Sequence, residues 1–196
     1  MNIIDYMNKK MKNDIEKKIR PVTSMLFHTV TPVNWGYTGN YWFITLKFVK
    51  GVDTLFVNYF IYNNGEILVD FKSRLEPSEP YNASIDVNLL EAIVGIGRLL
   101  RDLVEKIDVT EKEHKFFTNV TDANKYIVLD NKRYHNLGVL RYNGQQAIIL
   151  EPMDEDKEPN LYDLSSVYQD YVLSRAKFKK YDNNDLMAIK GDKNDE

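Results

Sequence analysis

The chain has 196 residues, 43% apolar and 28% charged, a globular mixture long enough to bury about 70% of its extended surface without a disulfide or a metal. Lys plus Arg is 26 against 29 for Asp plus Glu, a formal charge of -3, which disfavours binding nucleic acid through overall charge but leaves room for a local patch. With no cysteine, disulfides, thiol catalysis, iron–sulfur clusters and thiolate zinc sites fall away together.

Ile3 to Arg20 reads as a helix. Ile4, Met7, Met11, Ile15 and Ile19 recur every three or four residues and make one apolar stripe. Lys9, Lys10, Lys12, Lys17 and Lys18 lie on the other side, diluted by Asp5, Asp14 and Glu16, as a solvated face would be. Pro21 is expected to stop or bend this helix. The charged stretch Met1 to Arg20 lacks the apolar run of a secretion signal, and no stretch reaches the roughly 18 apolar residues of a spanning helix. The expected compartment is the cytoplasm of a bacterium or of a phage-infected cell.

Pro32 to Asn40 reads as a loop, with Gly36 and Gly39 among aromatic residues. Trp35, Tyr37, Tyr41 and Trp42 then offer rigid rings as a contact surface. The alternative is that these rings cap the open edge of a sheet core. Trp42 to Lys50, Thr54 to Tyr62 and Glu66 to Lys72 are rich in aromatic and β-branched residues and read as an antiparallel meander. Asn64-Gly65 is a tight-turn signal. In the middle strand Leu55, Val57, Tyr59 and Ile61 face one way, and Phe56, Asn58, Phe60 and Tyr62 the other. The second face is aromatic enough to predict a cover.

Asp86 to Lys106 is the clearest helix, with Leu89, Ile93, Ile96, Leu100, Leu103 and Ile107 in one stripe widened by Leu90, Val94 and Val104. Gly95 and Gly97 sit inside it, each at a cost of about 1 kcal/mol relative to alanine, and close packing against a neighbour is the expected compensation. Glu111 to His114 reads as a short polar stretch. Phe116 to Val120 and Lys125 to Leu129 read as strands or irregular segments. Asn136 to Tyr142, the turn Asn143-Gly144 and Gln145 to Leu150 make a second hairpin. Residues 151 to 160 form an acidic loop, and Asp163 to Lys180 reads as a last helix whose basic end suits the negative pole. The rest, from Asp182, is expected to fray. The expected fold is α+β: an antiparallel sheet, meander plus second hairpin, packed by two or three long helices. It is read as a single domain over residues 1–181, with two lobes meeting near residue 110 as the alternative.

Catalytic signatures are sparse. His28, His114 and His135 show no metal-ligand spacing, and no phosphate-binding glycine loop, HExxH or GxSxG occurs. Asp70-Phe71-Lys72 resembles the end of the restriction-endonuclease-like motif, in which a carboxylate and a lysine two apart hold Mg²⁺ and orient water. That resemblance implies a metal-dependent nuclease completed by Asp53 or Glu66, but the family's strand–helix–strand crossover is replaced here by hairpins. Without that alternative no cofactor or metal is expected.

The leading expectation is a small non-catalytic binding protein acting by protein–protein contact, with Trp35, Tyr37, Tyr41 and Trp42 as one surface. Asp154, Glu155 and Asp156 form a second surface, suited to a basic, nucleic-acid-handling protein. Size and composition also suit an accessory or host-defence-inhibitor protein of a phage or mobile element. A nucleic-acid-binding module is the third class. Arg133, Tyr134, Arg141, Tyr142, Lys177, Lys179 and Lys180 would carry it, with rings to stack on bases and cations to meet phosphates.

Overall fold

The computed structural model describes residues 1–23, 27, 29–51, 53–73, 87–154 and 157–182. These residues form an α+β fold with two antiparallel sheets. The chain divides into two compact units, Met1–Thr110 and Glu111–Glu196.

In the first unit the apolar stripe at the N-terminus is spread over two helices, α1 (Ile3–Lys9) and α2 (Met11–Thr23), parted at Lys10. Ile4, Met7, Met11, Ile15 and Ile19 are all buried, as their spacing predicts. Pro21 lies in the last turn of α2, and the helix ends two residues later. Next come β1 (Thr29–Tyr37), β2 (Tyr41–Lys50), β3 (Asp53–Tyr62) and β4 (Ile67–Ser73), which pair in chain order as a meander. The loop expected at 32–40 is instead mostly strand. Pro32 and Gly36 are tolerated because β1 is an edge strand, and its register shifts between Pro32 and Asn34, which marks a bulge.

Trp42, Ile44, Leu46 and Phe48 of β2 and Val57, Tyr59 and Ile61 of β3 form the buried side of this sheet. The helix α3 (Val87–Val104) packs on β4, α2 packs on β1, and the two helices pack on each other. Ile93, Ile96, Leu100 and Val104 of α3 are buried, whereas Leu90 and Val94 are exposed and do not widen its core stripe. The two glycines differ. A methyl at Gly97 would meet the Tyr59 ring at 3.4 Å, and the Tyr59 hydroxyl donates to the Ile93 carbonyl at 3.2 Å, so the helix lies close to the sheet there. A methyl at Gly95 would meet nothing within 4 Å, so packing does not explain that residue.

The second unit opens with α4 (Glu111–Val120), which corrects the polar-stretch and strand reading of this segment. Glu113, Phe116, Phe117 and Val120 are buried at the i, i+3, i+4, i+7 positions of one helical face. The sheet consists of β5 (Lys125–Leu129), β6 (Lys132–Tyr142), β7 (Gln145–Pro152), β8 (Asn160–Asp163) and β9 (Ala176–Lys180), in the order β8-β7-β6-β5-β9. Both Asp130-Asn131 and Asn143-Gly144 have positive φ at each residue, the two-residue turn that matches strand twist.

The helix α5 (Leu164–Val172) starts at Asp163, whose carboxylate accepts from the Ser166 backbone N–H at 2.9 Å. It stops well short of Lys180. Ser174 adopts φ 63, its N–H donates to the Tyr171 carbonyl, and the Arg175 N–H donates to the Asp170 carbonyl at 2.8 Å. That is a Schellman stop with serine where glycine is usual, and the chain beyond it becomes β9. Phe116 of α4 lies against Phe117, Tyr168, Tyr171 and Phe178, ring to ring at 5.1–5.8 Å, and centres the core of this unit. No helix among the described residues is long and apolar enough to cross a membrane.

Candidate functional surfaces

Of the four rings expected to make a contact surface, three are core. Trp35, Tyr37 and Trp42 are 4–6% exposed, so the exposed aromatic loop is corrected to a buried corner. The Trp35 Nε1–H donates to the Met7 carbonyl at 2.8 Å and ties β1 to α1. The Tyr37 hydroxyl donates to the Gly39 carbonyl at 2.8 Å, and burial pushes its pKa up. Its ring lies 4.8 Å from that of Trp42.

Tyr41 has the opposite orientation and is part-exposed. Strand alternation and register place it on the outer face of the first sheet with Phe43, Thr45 and Lys47 of β2, Phe56, Asn58, Phe60 and Tyr62 of β3, and Leu68 and Asp70 of β4. All of these are part-exposed except Leu68, which is 51% exposed. The cover predicted for this face is therefore incomplete. The Tyr41 ring stands 5.8 Å from Phe60 and 5.3 Å from Tyr62. Across the middle runs a polar ladder: the Thr45 hydroxyl donates to Asn58 Oδ1 at 2.8 Å, and Asn58 Nδ2 donates to Asp70 Oδ2 at 3.3 Å.

That ladder is the surroundings of Asp70 and bears on the nuclease alternative. Glu66 stands at the turn, four residues and about 13 Å along the chain from Asp70. Asp53 begins β3, five residues from Asn58, which pairs with Asp70. Asp53, Glu66 and Asp70 thus stand at separate backbone positions along β3, its turn and β4. Among the described residues no group of three His, Asp or Glu side chains comes together to hold a metal. Lys72 pairs with Phe56 in the register.

In the second unit Asp154 is exposed and bonded through both oxygens to Arg133, at 3.2 Å to Nε and 2.5 Å to a terminal nitrogen. The guanidinium holds the Asp154 carboxyl below the usual carboxylate range. Glu155 and Asp156 lie outside the described residues. Tyr134 is buried and its ring lies 5.9 Å from Tyr162, so it faces the core. Arg141 is half-buried, donates to the Gly144 carbonyl at 2.8 Å, and is pulled down to about 10 by desolvation. Tyr142 is exposed near the tip of that hairpin. Lys177, Lys179 and Lys180 are exposed, on a strand and not on a helix.

Sequence reasoning did not single out Phe43, Phe60, Tyr62 or Leu68 as surface residues. The signal was a strand apolar on both faces, which is read as buried on both unless something shows which face the helices take. Comparison of the chain with protein-family models, with curated proteins and with solved structures gives no match.

Proposed function

We propose that this chain is a non-catalytic binding protein acting through protein–protein contact, and that the outer face of the first sheet is its contact surface. One observation carries this reading: a contiguous set of part-exposed rings, Tyr41, Phe43, Phe60 and Tyr62, on the side of the sheet away from its buried residues. Contiguous apolar patches at the surface mark interaction sites, and aromatic residues are frequent energetic anchors there. The ladder of Thr45, Asn58 and Asp70 adds hydrogen-bonding groups that fix orientation inside an apolar patch.

The test is affinity capture of the tagged chain from lysate of its native host, with and without nuclease, set beside the Tyr41→Ala/Phe60→Ala variant. Recovery of one protein in near-equal amount, nuclease or not, and its loss with the variant at an unchanged unfolding midpoint, is the expected result. Each truncation should weaken binding by more than about 1 kcal/mol. Recovery unchanged by the variant would remove this face from the account. Partners that vanish on nuclease treatment would replace protein contact with nucleic acid.

A further inference from the structure

The outer face of the second sheet is chemically different. Direct cross-strand partners share a face, so the pairs Tyr126 with Lys179, Val128 with Lys177 and Val128 with Arg133 place these residues on one side. His135, two residues beyond Arg133, joins them. Ile127, Leu129 and Ala176 point to the other side and are buried, as the core beneath the helices requires. Tyr181, just past β9, stacks on His135 with ring centroids 5.6 Å apart and planes 29° apart, and its hydroxyl lies 2.8 Å from His135 Nδ1. Tyr126 lies 5.4 Å from Tyr181 and, being 8% exposed, supports it from the sheet. Tyr181 and His135 are part-exposed, and Lys177 and Lys179 are exposed.

We infer that this face binds single-stranded nucleic acid, with Lys177 and Lys179 meeting phosphates and Tyr181 and His135 offering rings on which bases stack. Charge complementarity selects the partner. Among the described residues neither lysine makes an ion pair, whereas Arg133 is held by Asp154, and Glu151 stands opposite His135 in the strand register. The charge of Lys177 and Lys179 therefore borders the rings on the strand side, with Glu151 opposite His135 and Asp182 next to Tyr181 as the neighbouring carboxylates. An acidic peptide would use the lysines and leave the rings idle, and a duplex hides its bases from a flat face. Lysines on an edge strand also guard it against unwanted pairing, but guarding needs charge alone and not a fixed set of rings beside it. The inference is independent of the proposal for the first sheet.

The experiment is fluorescence anisotropy of the full chain with labelled oligo-dT and oligo-rU of about 12 nucleotides, within the site size of a stacking sheet surface. A duplex of equal length and a polyglutamate peptide are the comparisons. The expected result is saturable binding of a single strand in low salt that weakens as salt rises, with a log–log slope of about -0.7 per phosphate neutralised. Lys177→Gln/Lys179→Gln should flatten that slope. Tyr181→Ala should cost about tenfold in affinity and leave the slope unchanged. The lysine variant changes only exposed side chains, so it decides the matter even if Tyr181→Ala disturbs the fold. No single-strand binding in low salt, equal binding of duplex or polyglutamate, or binding indifferent to the lysine variant would each overturn the inference.

Discussion

In the first sheet every strand pairs with the next one in the chain, whereas in the second the last strand returns to pair with the first, Ala176 opposite Leu129. Neighbour pairing needs only short turns, and such turns carry their own residue signals. Return pairing closes a long loop, which costs more entropy and leaves no local signature. The outer faces differ as well: rings around a polar ladder that ends in the Asp70 carboxylate in one, rings bordered by lysines in the other. Two sheets of similar construction in one chain thus carry chemically different outer faces.

The cores offer the sharpest way to break this comparison. Phe116 centres a ring cluster joining α4, α5 and β9, so Phe116→Ala should cost about 3–5 kcal/mol in urea unfolding. A loss under 1 kcal/mol would show that the cluster is not what holds β9 in place. The first core rests on helix α3 lying close to Tyr59. Gly97→Leu should therefore destabilise by about 1–3 kcal/mol through overpacking. Gly95→Ala meets open space and should stabilise by about 0.5–1 kcal/mol. Equal effects at the two glycines would erase the distinction between them.

Smaller effects concern the ends of α5. Removing its cap with Asp163→Ala should cost about 1 kcal/mol, measured by thermal or urea unfolding. Ser174→Gly should raise stability by roughly 0.5–1 kcal/mol, because glycine takes the left-handed stop without strain. A loss there would contradict the Schellman geometry. The smallest effect is on pH. Asp122 caps the turn after α4, and the Asn124 backbone N–H, followed by Lys125, holds its carboxyl below the ordinary aspartate range. Its contribution is complete above the unfolded value and lost as pH falls through the lower native one. Asp122→Asn should thus flatten the acid limb of the stability profile below about pH 4 by lowering stability slightly at neutral pH, with stability at the acid end unchanged.

The periodic segments were legible. The stripe from Ile4 to Ile19, the strands over 42–72, the hairpin at Asn143-Gly144 and the long helix ending near Val104 all follow from spacing and turn chemistry. Three segments were not. Residues 32–37 look like a loop because Pro32 and Gly36 break the strand pattern, and only an edge position makes them acceptable. Helix α4 has too few apolar residues for a period to stand out: Phe116, Phe117 and Val120 cover barely more than one turn. Lys177 to Lys180 reads as a basic helix end because the stop at Ser174 lacks glycine, and the alternation of Lys with Ala176 and Phe178 is short.

The candidate surfaces divide the same way. Sequence reasoning named Tyr41, Lys177 and Lys179 as candidate surface residues, and none of the three is buried, but it grouped Tyr41 with Trp35 and Trp42, which the fold buries. Residue type, spacing and turn chemistry are local, and they determined most of the elements and the α+β class. Which face of a two-sided apolar strand receives the helices, and which distant strand completes a sheet, depend on contacts between residues far apart in the chain. Those contacts decided that Tyr41 and Phe60 lie on an outer face while Trp42 and Tyr59 are core, and that Lys177 and Lys179 stand beside Tyr181 and His135.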